Sequence, residues 1–129
     1  MSPDLWALAG AVVLGFAHIT AQSLSYKAQV THAFTQGPRE AEPAPVGAAG
    51  RYARAMRNFQ ESFALFAASV LLVQLAGEAD QVSAIGAVVY LAARALYLPA
   101  YGLSLQPWRS IFWLFSMIAI LAVLSALFV

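Results

Sequence analysis

The sequence predicts an all-α integral membrane protein, a four-transmembrane-helix bundle in a single domain over residues 1–129. Three observations predict it. Hydrophobic residues make up 61% of the chain and charged ones 10%, against about 45–50% and 25% in soluble domains. Four apolar segments, at about 5–30, 51–76, 81–103 and 108–129, are each near the roughly 20 residues that cross a hydrocarbon core of about 30 Å. Together they use most of the chain and leave no sizeable soluble domain.

Charge and cysteine usage narrow the function classes. A formal net charge of +1, with no basic run, gives no electrostatic footprint for nucleic acid. The chain has no cysteine, which excludes disulfides, thiolate metal sites and a protein-borne thiol nucleophile. Any sulfur chemistry must use a thiol supplied by a ligand. The N-terminus carries Asp4 and no basic residue before its apolar run, unlike a cleaved signal peptide, so the first segment is expected to be retained as a helix.

The first helix should start at about Leu5, with Ser2, Pro3 and Asp4 supplying the capping chemistry. It is apolar to Ala17 and increasingly polar from His18 through Thr20, Gln22, Ser23, Ser25 and Lys27. Gly10 and Gly15, with Ala9 and Ala11, permit close helix approach. Residues 36–50 hold three prolines, three glycines and two glutamates and read as an irregular surface loop.

The second helix opens on charge. At about 100° per residue, Arg51, Arg54, Arg57, Asn58 and Glu61 share about a third of its circumference, and the helix is apolar from Phe63 to Val73 but for Ser69. Ionisable groups at membrane depth are functional candidates. Arg51, at the helix end, suits a headgroup anchor. Glu61 lies roughly 15 Å further along the axis, too deep for a short carboxylate to reach water, and should pair with Arg57 or with Arg94 of the third helix. Spacing alone leaves a structural ion pair and a ligand site equally open.

The third helix carries Tyr90, Arg94, Tyr97 and Tyr101 at intervals of four, three and four residues, one helical face. An arginine among three phenols, with apolar walls, suits a carboxylate-bearing ligand. Pro99 should kink this helix or free a carbonyl near the tyrosines. Gln106-Pro107 marks a tight connection, and Trp108-Arg109-Ser110 opens the fourth helix, with Trp108 and Trp113 placed for an interfacial aromatic belt. His18 and His32, fourteen residues apart with no second ligand nearby, do not suggest a metal site.

Lys27, Arg39, Arg51 and Arg109 all flank the first and third connections. By the positive-inside rule those connections face the cytoplasm and both termini face away from it. The stripe of the second helix and the region Tyr97 to Arg109 then converge at one membrane depth.

Two motifs resemble a known family, the membrane-associated proteins in eicosanoid and glutathione metabolism, MAPEG. Arg54-Ala-Met-Arg57-Asn58-Phe-Gln-Glu61 is similar to the family's Arg-Ala-x-x-Asn-x-x-Glu signature, and Arg94-Ala-Leu-Tyr97-Leu-Pro-Ala-Tyr101 is followed by Arg109-Ser110. The likeness is to a bacterial-type member similar to the microsomal glutathione transferases. It implies a homotrimer in the bacterial inner membrane, binding glutathione as co-substrate between subunits and taking a small lipophilic substrate from the lipid. Arg54, Arg57, Asn58 and Glu61 would hold the charged ends of the tripeptide, with Arg94, Tyr97 and Tyr101 on the neighbouring wall. Arg109 would stabilise the thiolate, as the catalytic residue, and Ser110 would supply a neighbouring hydroxyl. The absence of cysteine fits a borrowed thiol.

The expected activity is that of a glutathione-dependent transferase or peroxidase acting on lipophilic electrophiles. Tyr97 stands where some prostaglandin synthases of the family have histidine, so prostaglandin isomerisation is not favoured. The alternative is a non-catalytic lipid-binding or scaffold protein of the same fold. A small proton-coupled exporter ranks last, because the first helix has no acid beyond Asp4 at its end.

Overall fold

A computed structural model describes residues 1–129. Its spanning helices are α1 (Pro3–Gln29), α3 (Gly47–Ala76), α4 (Gln81–Gly102) and α5 (Trp108–Ser125), the last extended by a 3₁₀ turn, Ala126–Phe128. A short α2 (His32–Gln36) lies in the first connection. All four long helices have the length and apolarity to cross a membrane. At 1.5 Å per residue, the 27 residues of α1 and the 30 of α3 exceed a hydrocarbon core, so their ends stand in the interfacial region.

Local chemistry sets the helix ends. Ser2 caps α1, its hydroxyl accepting from the Leu5 amide, with Pro3 in the first turn. Asp80 and Ser83 form a reciprocal capping box on α4. Gly77 ends α3 in the left-handed conformation, φ 75°, which an L side chain would strain. α3 begins at Gly47, earlier than the stripe at Arg51, because Ala48 and Ala49 continue the helix and Ala49 and Gly50 are buried.

The loop before α3 is strapped to the end of α1. Tyr26 donates its phenol to the Pro43 carbonyl at 2.6 Å, and Gln29 bonds both the Ala44 carbonyl, at 2.9 Å, and the Val46 amide, at 2.8 Å. These bonds bring the polar end of α1 to the start of α3.

The core is built from small residues and a few large ones. Ala7 and Ala11 of α1, Phe66, Val70 and Val73 of α3, Ala87 and Tyr90 of α4, and Ala119, Ile120 and Val123 of α5 form one buried cluster. α4 and α5 pack most extensively, and α1 packs on α3 and α4. Gly86 permits the α4–α5 approach: a Cβ there would lie 3.0 Å from the Ala119 carbonyl oxygen and 3.1 Å from the Val123 amide. In lipid, with little hydrophobic drive between helices, such backbone proximity is what close packing rests on. Large side chains such as Val13, Phe16, Leu75, Ile85, Ile118 and Leu121 face outward, as in a bundle solvated by lipid. Tyr90, expected on the pocket face, lies instead in this core. Its ring stacks on Phe66 at 3.9 Å between centroids and its hydroxyl bonds Ser62 at 2.9 Å.

Candidate functional site

The end of the bundle that carries the first and third connections holds the polar side chains. Along α3 and α4, which run antiparallel, the first half of one faces the last half of the other. Arg94 is fully enclosed, 0% exposed. Its Nη2 donates to the Asn58 side-chain oxygen at 2.8 Å, and its guanidinium lies 4.3 Å from the Tyr97 ring centroid and 5.8 Å from that of Phe59. Aromatic faces offset part of the cost of burying the charge. They do not accept hydrogen bonds well, and Nε and Nη1 of Arg94 have no acceptor. Buried donors are normally satisfied, so this pair marks a demand for anionic or carbonyl oxygens.

One turn closer to the connection, Tyr97 and Tyr101 tilt against each other with centroids 5.5 Å apart. Arg54 Nε donates to the Tyr101 hydroxyl at 3.1 Å, while the Arg109 guanidinium lies 4.9 Å from the Tyr101 ring centroid. Tyr101 thus links the stripe on α3 to the start of α5. The turn between α4 and α5 fixes Arg109: Leu105 donates its amide to the Ala100 carbonyl at 2.8 Å, and the Arg109 amide returns to the Leu105 carbonyl at 3.3 Å. Asn58, Tyr97, Tyr101, Arg109, Ser110 and Trp113 line a cleft of about 240 Å³. Arg109 stands in the first turn of α5, where the helix dipole also favours negative charge. The cleft combines a cation and hydroxyl groups with aromatic walls.

A sequence model of the MAPEG family matches residues 5–129, nearly the whole chain. The chain belongs to the MAPEG family. Comparisons with curated proteins and with solved structures return no match. Membership makes this MAPEG protein an integral membrane protein of the family associated with glutathione and eicosanoid metabolism.

Not all the expected site residues of this MAPEG protein meet. Arg54, Asn58, Arg94, Tyr97, Tyr101, Arg109 and Ser110 are brought together within one protomer, with Asn58 and Arg94 in direct contact rather than on walls of different subunits. Arg57 and Glu61 are exposed. Neither has a hydrogen-bond or ion-pair partner in the protomer, whose one ion pair joins Arg39 and Glu42 at 3.8 Å. The expected pairing of Glu61 with Arg57 or Arg94 is therefore not made. Asn58 lies about 100° around α3 from Arg57, so the stripe has an inward edge that meets α4 and an outward edge that does not.

Arg51 differs from its expected role as a headgroup anchor. Its Nε donates to the Gly102 carbonyl at 2.8 Å and closes the C-terminal end of α4. Tyr52 packs beside it, against Gly102, where a Cβ would lie 2.4 Å from the Tyr52 ring. Trp113, read as a belt residue, lines the cleft. Its position one helical turn after Arg109 was the available signal.

Proposed function

We propose that this MAPEG protein is a glutathione-dependent transferase or peroxidase acting on lipophilic electrophiles. The observation that carries the reading is Arg94: an enclosed guanidinium with two unsatisfied donors, beside a cleft lined by Asn58, two phenols, Arg109 and Ser110. Glutathione has two carboxylates and one ammonium, which match several arginines and one glutamate. When bound, it supplies the thiolate nucleophile that this cysteine-free chain lacks.

The chain's own residues divide the work. Arg94 and Arg54 draw carboxylates toward α3 and α4, and Asn58 and Tyr97 orient them. Arg109 lies over Tyr101 and lines the cleft, where a guanidinium lowers the proton affinity of a nearby thiol. Ser110 offers a hydroxyl beside it. Arg57 and Glu61, unpartnered on the outer edge of α3, face a neighbouring subunit in a homotrimer, where Glu61 would meet the ammonium. The connection end faces the cytoplasm of a bacterial inner membrane, on the distribution of Lys27, Arg39, Arg51 and Arg109.

Purified protein in lipid nanodiscs should conjugate a generic aryl halide to glutathione, or reduce a lipophilic hydroperoxide at glutathione's expense. Arg109→Ala should lower kcat by about 10²-fold or more, as loss of a charge-stabilising donor does. Absence of both activities, or an Arg109→Ala variant as active as wild type, contradicts the reading.

A further inference from the structure

A second recess lies on the other flank of α3, facing α1. Its volume is about 260 Å³, and its walls include Ala11, Gly15, His18, Met56, Phe59 and Phe63. Apart from His18 and Gln60, these walls are apolar, and the recess opens at the outer surface of the protomer. His18 is 0% exposed and stacks on Phe59, with centroids 4.5 Å apart and planes at 18°. Neither of its ring nitrogens has a hydrogen-bond partner. Fifteen residues of α1 precede it and eleven follow it to Gln29, which sets it about 16 Å from the nearer end of the helix. No headgroup or bulk water satisfies it there without entering the groove.

An imidazole in this setting is costly unless something polar completes it. We propose that the α1–α3 groove binds a lipophilic molecule whose terminal oxygen is a hydroxyl or hydroperoxide, the chain lying along Met56 and Phe63 and the O–H bonding His18. The hydroxyl follows from the ring. Whichever tautomer is present, an O–H can pair with the nitrogen nearest the groove, donating to it if bare or accepting from it if protonated. An alkyl chain from the bilayer fits the walls without desolvation cost, and only its oxygen needs a partner. Phe59 is shared between this groove and the Arg94 cluster, being 5.8 Å from the guanidinium carbon. The bound oxygen therefore lies one aromatic ring from the Arg94 guanidinium. The proposal concerns binding alone and stands whether or not glutathione binds.

The chain has two histidines, so protein labelled with ¹⁵N-histidine in nanodiscs gives two sets of imidazole signals, and His32→Gln assigns them. Dodecan-1-ol should move the His18 signals saturably and leave His32 unmoved, whereas n-dodecane should not reproduce the shift. His18→Phe keeps the ring on Phe59 and removes the reporting signal, so its binding of radiolabelled dodecan-1-ol is measured directly against wild type and should be at least tenfold weaker. Gly15→Val provides a second arm that leaves His18 in place. A Cβ at Gly15 makes an ordinary 3.4 Å contact with Phe59, so the added methyls fill the groove and should abolish the shift. Equal responses to alcohol and alkane, no response to either, or an undiminished shift in Gly15→Val would overturn the proposal.

Discussion

Arg94 of α4 and Asn58 of α3 are joined by a 2.8 Å hydrogen bond inside the apolar bundle, and Asn58 is the one hydrogen-bond acceptor the enclosed guanidinium has. The pair locks two helices together and holds a cation behind Asn58 and Tyr97, which line the cleft. Structure and candidate chemistry meet in that contact.

Asn58→Ala removes the acceptor and leaves the guanidinium buried without one. The expected loss of stability is about 1.5–3 kcal/mol, the usual range for hydrogen bonds to charged groups. Arg94→Leu combined with Asn58→Leu should cost clearly less than the sum of the two single changes, because the double variant leaves no orphaned charge. Unfolding titrations in mixed micelles would measure the cycle, and simple additivity would show that the two side chains do not act together.

Gly86→Ala should destabilise the bundle by about 1–3 kcal/mol, the range for overpacking, since its Cβ meets the backbone of α5 at 3.0–3.1 Å. Gly10→Ala should cost less. Its Cβ meets only the far end of the Leu91 side chain, which can turn away. The same unfolding assay compares them, and the reverse ranking would count against the packing described for α4 and α5.

Arg51→Ala should cost about 1 kcal/mol through the lost bond to the Gly102 carbonyl. The loss should be the same in neutral and in anionic lipid. A loss that appears only with anionic lipid would restore the headgroup-anchor role.

Four helices were legible because composition and segment length speak directly to the bilayer, and the MAPEG motifs were legible because charge in an apolar run is conspicuous. Partners within the stripe were not. Helical spacing places Arg57, Asn58 and Glu61 on one side of α3, but their contacts depend on how α3 is rotated against α4. That rotation turned Asn58 inward and Glu61 outward. Tyr90 shares a face with Arg94 by spacing, yet Ser62 and Phe66 claim it for the core, and nothing in the period distinguishes it from Tyr97. The α1–α3 groove was invisible for a related reason: His18 looks like one more polar residue on a wetting helix until Phe59 is seen stacked on it.

Arg57 and Glu61 make no hydrogen bond or ion pair within the protomer, which predicts that a neighbouring subunit covers them. Native mass spectrometry from mild detergent should release a species of three chains. Glu61→Lys, which adds a third cation beside Arg54 and Arg57, should shift it toward monomer by about tenfold, equivalent to roughly 1.4 kcal/mol. A wild-type protein that is monomeric at micromolar concentration would contradict this.

The central claim is that the stripe on α3 and the cleft it borders hold glutathione. It is tested most directly by the thermal unfolding of the purified protein in nanodiscs with increasing glutathione. The account predicts a saturable rise in Tm for wild type and for His18→Phe, and a rise at least tenfold weaker in apparent affinity for Arg57→Ala and Glu61→Gln, whose side chains have no partner in the folded protomer to lose. A wild-type Tm that glutathione does not move, or one that these two substitutions leave equally responsive, would contradict it.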